Sequence, residues 1–220
     1  VSPSRGLGDV YKRQVHPGAS VLDIGCGNQW PAKELAQSCR YTGLDHRTTA
    51  LHWYGTQPSV FGDASQLPFR DASFDVVLLF DVLEHIPDAE GTLSEVRRVL
   101  NSDGMAILQV PFLYPLHDEP RDYWRMTTHA LRDLAERQRF KVEKLVACGQ
   151  PVETAALLLN LAAAKMVGGW ISRRSVWSVT ALALPGTFLA SNLAASALSR
   201  LTPRDPMMPF SYLMVLRAER

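Results

Sequence analysis

Cysteine is sparse in this 220-residue chain: Cys26, Cys39 and Cys148 are the only three, and no two form a C-x-x-C pair. That excludes a disulfide scaffold and a zinc ribbon, and it fits a reducing cytosol, so a cytoplasmic location is expected. Net charge is nearly absent as well, with 23 Lys+Arg against 22 Asp+Glu. No overall field draws the chain to nucleic acid, and no nucleic-acid partner is expected. Internal repeats and low-complexity tracts are missing. With 46% hydrophobic and 20% charged residues the chain is too apolar for disorder and long enough to bury a core without staples. Length suggests one domain, or one domain with a large insertion.

The first fourteen residues, VSPSRGLGDVYKRQ, lack any helical or strand period. They read as a non-native or disordered tail, and the chain as an N-terminally truncated fragment, so the domain is expected over 15–220.

From residue 20 onward, strand and helix patterns alternate. Ser20 to Gly25 (SVLDIG) is a short apolar run ending in glycine. Pro31 to Cys39 reads as a helix with proline at a first helical position. Tyr41 to Asp45 and Ser59 to Gly62 are two further strands. Phe74 to Phe80 (FDVVLLF) is apolar without a break from Val76, as in a strand covered on both faces. Asp88 to Asn101 is an amphipathic helix, stopped by the turn Asn101-Ser102-Asp103-Gly104. A strand over Met105 to Val110, a helix over Thr127 to Gln138 and a strand over Phe140 to Ala147 follow. Phe210 to Arg217 supplies a seventh strand. The alternation predicts a doubly wound α/β sheet.

Asp23-Ile24-Gly25-Cys26-Gly27-Asn28 sits where the first strand turns into a helix. Glycines there let the backbone approach a ligand, next to free N–H groups. Asp45 ends the second strand, placed for ribose hydroxyls, and Asp63 ends the third, placed for an adenine ring. A glycine turn alone is usually structural; two glycines with acids at two further strand ends say more. A dinucleotide fingerprint would need a third small residue where Trp30 stands, which disfavours NAD.

These residues resemble the class I S-adenosylmethionine-dependent methyltransferases, in particular the type 11-like group. The resemblance runs from about Val21 to Ala147. It comprises Val21-Leu22-Asp23-Ile24-Gly25-Cys26-Gly27, Gly43-Leu44-Asp45, Gly62-Asp63-Ala64 with Leu67-Pro68-Phe69, Ser73-Phe74-Asp75-Val76-Val77, Val82-Leu83-Glu84-His85-Ile86 and Glu95-Val96-Arg97-Arg98-Val99-Leu100. It implies a Rossmann-like seven-stranded, mostly parallel sheet with an antiparallel last strand, and S-adenosyl-L-methionine as cofactor. On that reading Asp23, Gly25 and Gly27 face the methionine part, and Asp45 binds the ribose. Asp63 and Ala64 hold the adenine with Leu67 nearby, while Phe80 and Asp81 line the cofactor next to the acceptor. Two departures stand out: Asn28 where many members have glycine, and almost nothing before the first strand.

On the acceptor side, His85 follows the fourth strand and could serve as a base, or pack and cap a helix start. Residues 111–127 (PFLYPLHDEPRDYWRMT) combine aromatics, three prolines and mixed charges after the fifth strand. They read as an acceptor-site lid, against a rigid surface loop whose charges pair among themselves. His117, Tyr123 and Arg125 join His85 as catalytic candidates. No metal is expected, because His117-x-Glu119 has no second ligand pair at zinc-like spacing.

Residues 151–208 break the alternation as an apolar helical insertion, with no charge between Arg174 and Arg200. Pro185-Gly186 and the Arg173-Arg174 loop argue against a simple hairpin across a bilayer. Peripheral membrane contact and a homodimer surface both stay open. The function expected is methylation of a small-molecule, glycan or lipid-linked acceptor, and the alternative is a non-catalytic cofactor-binding or membrane-associated scaffold.

Overall fold

The strand pattern folds into one seven-stranded sheet. The computed structural model describes residues 15–219, and the expectation for residues 1–14 lies outside the described residues. Its strands are β1 (Ser20–Ile24), β2 (Arg40–Asp45), β3 (Val60–Phe61), β4 (Phe74–Phe80), β5 (Leu100–Pro111), β6 (Phe140–Cys148) and β7 (Ser211–Ala218), in the order β3-β2-β1-β4-β5-β7-β6. β1 to β5 pair in parallel. β7 runs the other way against both neighbours. On the β6 side Phe210 N–H donates to Cys148 O and Glu219 N–H to Arg139 O. On the β5 side Leu113 N–H donates to Pro209 O and the Arg217 guanidinium to Asp103 O. Every residue of β1 and the run Val76–Leu79 of β4 are buried, as a sheet covered on both faces requires.

The helices are α1 (Ala32–Leu35), α2 (Ala89–Val99), α3 (Thr128–Arg137), α4 (Pro151–Ser172) and α5 (Leu184–Leu201). Asp88 caps α2 by accepting the Gly91 N–H at 2.8 Å, and the helix buries Leu93, Val96 and Val99. Thr127 caps α3 in the same way. Two elements differ from expectation. The first helix is one turn, because the Ser38 and Cys39 amides both return to Leu35 O and the chain enters β2 at Arg40. The turn expected at 101–104 lies inside β5 as a break in pairing: Phe74 pairs with Leu100, whereas Val76 pairs with Met105.

The described chain divides into two compact units. One comprises residues 15–112, 116–146 and 212–219; the other is Ala147–Ser211 with Leu113–Pro115. In the second, α4 and α5 are joined by a 3₁₀ segment, Val176–Ala183. Asn160 Nδ2 donates to Asn192 Oδ1 at 3.0 Å, and Ser199 Oγ to Glu153 Oε1 at 3.0 Å. Outside those polar links the surfaces are apolar and open: Val176 is 83% and Leu182 84% exposed. Pro151–Ser172 and Val176–Leu201 are both long and apolar enough to cross a membrane, each with a mean hydropathy of 1.4.

Candidate functional site

A cleft of about 720 Å³ opens at the carboxyl ends of the parallel strands, where open α/β sheets bind ligands. Gly25, Asp45, Asp63, Ala64 and Asp81 line it. The turn after β1 is tied to β2: Gly25 and Cys26 N–H both donate to Leu44 O, and Gly27 N–H donates to Asp45 Oδ2 at 2.8 Å. Gly25 has φ +67°, and a Cβ on it would stand 2.4 Å from Val82 Cγ2. Glycine is therefore required twice there, by conformation and by contact with the opposite wall.

The acids differ in setting. Asp45 is 3% exposed; burial pushes its carboxyl up, while the Gly27 and His46 amides hold it down. Asp63 is exposed, and two hydrogen bonds from Ser65 hold its carboxyl low. Asp81 has φ +55°, a backbone state that side chains rarely adopt. Gln109 on β5 holds it there: Asp81 N–H donates to Gln109 O at 3.0 Å, and Gln109 Nε2 donates to Asp81 Oδ2 at 3.1 Å. Crowding by protein raises the Asp81 carboxyl, and the Gln109 hydrogen bonds oppose that.

Several expected residues lie elsewhere. Asp23 is buried beneath the turn, accepts the Tyr41 hydroxyl at 2.5 Å, and is pushed by burial up to about 7. Gly27 lies under Tyr54, whose ring would be 3.2 Å from a Cβ there. Leu67 is a core residue; its amide donates to Glu95 Oε2. Phe80 stacks on Trp30 with ring centroids 5.6 Å apart. None of these four is among the lining residues.

Sequence reading missed one wall. A π-helical turn, Thr49–Tyr54, follows β2 and brings Thr49, Trp53 and Tyr54 to the cleft, with both aromatics about half exposed. The signal was the adjacent pair Trp53-Tyr54, large apolar rings in a segment with no core-facing period; π-turns of this kind recur at functional sites.

The opposite wall comes from residues 82–88 and 118–123. Three hydrogen bonds join these segments. Tyr123 N–H donates to Glu84 O at 2.8 Å, Trp124 Nε1 to Ile86 O at 2.9 Å, and His85 Nδ1 lies 2.5 Å from Arg121 O. His85 and Tyr123 line the cleft, whereas His117 and Arg125 stand behind it. Arg125 is clamped to the Asp122 carboxylate by both terminal nitrogens, at 2.6 and 2.7 Å. That pair keeps Asp122 down at about 2. The expectation of no metal considered only Glu119 as a partner for His117. Two other carboxylates flank the His117 ring: Asp122, 3.3 Å from Nδ1, and Glu84, 3.8 Å from Nε2. Glu84 is 1% exposed, burial pushes it up to about 8, and neither of its oxygens has a hydrogen-bond partner among the described residues.

Comparison with known proteins agrees with this architecture. Residues 22–108 match the family model described as a methyltransferase domain. A sterol 24-C-methyltransferase of Schizosaccharomyces pombe is 34% identical over 108 residues, 44% of this chain and 29% of that protein. A Mycolicibacterium smegmatis protein, named a probable S-adenosylmethionine-dependent methyltransferase, is 34% identical over 147 residues, 61% of this chain and 57% of that one. The chain thus spans less than two thirds of either relative. A methyltransferase structure from Methanosarcina mazei superposes with a TM-score of 0.57 at 16% identity, covering 96% of this chain and 97% of that one. With that fold, and with residues 22–108 matching a methyltransferase domain, the chain is similar to the class I S-adenosylmethionine-dependent methyltransferases, whose cofactor is S-adenosyl-L-methionine.

Proposed function

We propose that this chain binds S-adenosylmethionine in the cleft and transfers its methyl group to a lipid-linked or otherwise apolar acceptor. One observation carries the binding: Asp45, Asp63 and Asp81, at or just beyond the ends of β2, β3 and β4, line a single cleft with Gly25. Their chemistry suits the cofactor. Asp45 would accept the ribose hydroxyls. Asp63 with Ala64 would hold the adenine, and Gly25 with Asp81 would meet the cationic methionine end. The volume also falls within the range of small-molecule sites.

Bound there, the cofactor supplies an electrophilic methyl group and leaves as a neutral thioether. The leaving group needs no proton, so the residues serve mainly to align two reactants and exclude water. Alignment is worth roughly 7–11 kcal/mol in favourable systems. Trp53 and Tyr54 form one wall for this, and the 118–123 segment the other; His85 and Tyr123 are the acceptor-side groups that reach the cleft.

The apolar α4–α5 unit supports the acceptor class. Both helices are largely apolar, and the side-chain-to-side-chain hydrogen bonds among their described residues run between the helices, as suits lipid-embedded pairs. The sterol methyltransferase relative also acts on an apolar molecule. The test is calorimetric titration with S-adenosylhomocysteine, using Asp45→Ala as the control, followed by labelled methyl transfer into lipid extracts. Saturable binding that Asp45→Ala abolishes is expected, with label in the organic phase. A folded protein that binds no S-adenosylhomocysteine refutes the cofactor site. Binding without transfer to any lipid fraction refutes the acceptor class and leaves a small-molecule or glycan acceptor, or a non-catalytic scaffold.

A further inference from the structure

Behind the acceptor wall, three potential ligand atoms converge. One oxygen of Glu84 lies 3.7 Å from His85 Nε2 and 3.8 Å from His117 Nε2. All three donor atoms fall within 4.8 Å of one another. Neither methyl transfer nor packing accounts for the cluster. Glu84 has almost no exposed surface, and among the described residues both its oxygens lack a hydrogen-bond partner, a costly state for a buried carboxyl.

The far side of each imidazole has a neighbour that bears on how the near side is used. His85 Nδ1 is 2.5 Å from the Arg121 carbonyl. A carbonyl only accepts, so the proton sits on Nδ1 and the Nε2 lone pair of the neutral ring faces Glu84. His117 Nδ1 lies 3.3 Å from Arg125 Nη2, which can only donate to it, and 3.3 Å from Asp122 Oδ2, which would have to take the Nδ1 proton for Nε2 to turn its lone pair to a metal. A carboxylate behind a histidine is the outer-shell arrangement that orients metal-binding imidazoles. The Arg125 charge is offset by the same Asp122. On the cleft side, Asp118 Oδ2 is 3.8 Å from His85 Nε2 and adds negative charge.

We propose that Glu84, His85 and His117 bind one divalent transition-metal ion of the zinc type. Two imidazoles and one carboxylate match the donor set of open zinc sites, which keep a position free for water or substrate. Ligands about 2.0–2.2 Å from a tetrahedral ion stand roughly 3.4 Å apart. The present spacings close to that with side-chain movements of about 1 Å or less. Because His85 also lines the cleft, the free position would serve an oxygen atom of the acceptor, and His85 would act as a ligand rather than a free base. The proposal does not rest on methyl transfer, since metal uptake is read without cofactor or acceptor.

The experiment is titration of the EDTA-stripped full chain with Zn²⁺ against a chromogenic chelator, repeated with Co²⁺ for its visible absorption. One equivalent is expected to bind. Glu84→Gln and His117→Ala should each weaken binding by roughly tenfold or more and bleach the cobalt bands. His129→Ala, a control at an exposed position on α3, should change nothing. Thermal melts of the variants without metal show whether each is folded, and Glu84→Gln is close to isosteric. No saturable Zn²⁺ uptake by the wild type overturns the site. So does uptake that a folded Glu84→Gln and a folded His117→Ala both retain.

Discussion

Gly25→Ala probes the floor of the cleft most directly. The new Cβ would meet Val82 Cγ2 at 2.4 Å, and the backbone would have to keep φ +67°. A side chain in that left-handed state costs roughly 1–2 kcal/mol. Forcing the Val82 methyl aside is overpacking, another 1–3 kcal/mol or so. Gly25→Ala should therefore destabilise the protein by about 2–5 kcal/mol. The two parts can be separated. Val82→Ala removes the obstructing methyls and leaves the backbone cost, so in the double variant only the steric part returns. Urea melts of the four proteins should then give a coupling of about 1–3 kcal/mol. Because Gly25 and Val82 both line the cleft, the single variant should also lose affinity for S-adenosylhomocysteine, and the double variant should regain part of it. Additive stabilities, within roughly 0.5 kcal/mol, would refute the reasoning.

Two further outcomes follow from burial. Burial raises the folded-state pKa of Asp23 from 3.8 to about 7. The folded state therefore holds the proton more tightly, and the stability this gives is full below pH 3.8 and is lost as pH rises through about 7. Asp23→Asn keeps an acceptor for the Tyr41 hydroxyl and removes that loss, so its advantage over wild type should grow between about pH 4 and 7 and then level off, by a few kcal/mol at most. Parallel pH profiles of the two melting curves would remove Asp23 as the cause. For the apolar unit, Leu182→Arg and Leu189→Arg place charges on exposed surface of the 3₁₀ segment and α5. If this surface enters lipid, each costs roughly 2.5–3.5 kcal/mol in the hydrocarbon, and flotation with liposomes should fall sharply; wild-type protein that never floats refutes the membrane reading.

The sheet was legible because its signals are local. The unbroken run in β4 and the caps Asp88 and Thr127 each announce an element without help from the rest of the chain. The first helix was read too long because the amides that end it bond to a carbonyl only a few residues back, where no glycine or proline marks the stop. The 101–104 segment was legible as a turn but not as part of a strand. Its polar residues are held by distant partners, with Asn101 Nδ2 donating to Asp75 Oδ1 and Arg217 donating to Asp103 O. In the cleft, Asp45 and Asp63 could be placed from strand ends alone. Asp23, one residue before the end of β1, could not, because its direction depends on Tyr41 across the sheet. The Glu84–His85–His117 cluster was hidden for the same reason: its members are 33 residues apart at the extremes and meet only where the 111–127 segment folds back.

The way the 111–127 segment is fastened has a consequence for how its exposed face can change. Its attachments to the 82–86 segment all end on main-chain carbonyls, those of Glu84, Ile86 and Arg121. Such anchors survive most replacements at the residues that supply the carbonyls. Exposed positions there such as Leu116, Glu119 and Arg121 are thus free to vary over a fixed frame. A library confined to those positions should yield folded proteins with altered acceptor range, much as a tool holder accepts different bits without being rebuilt.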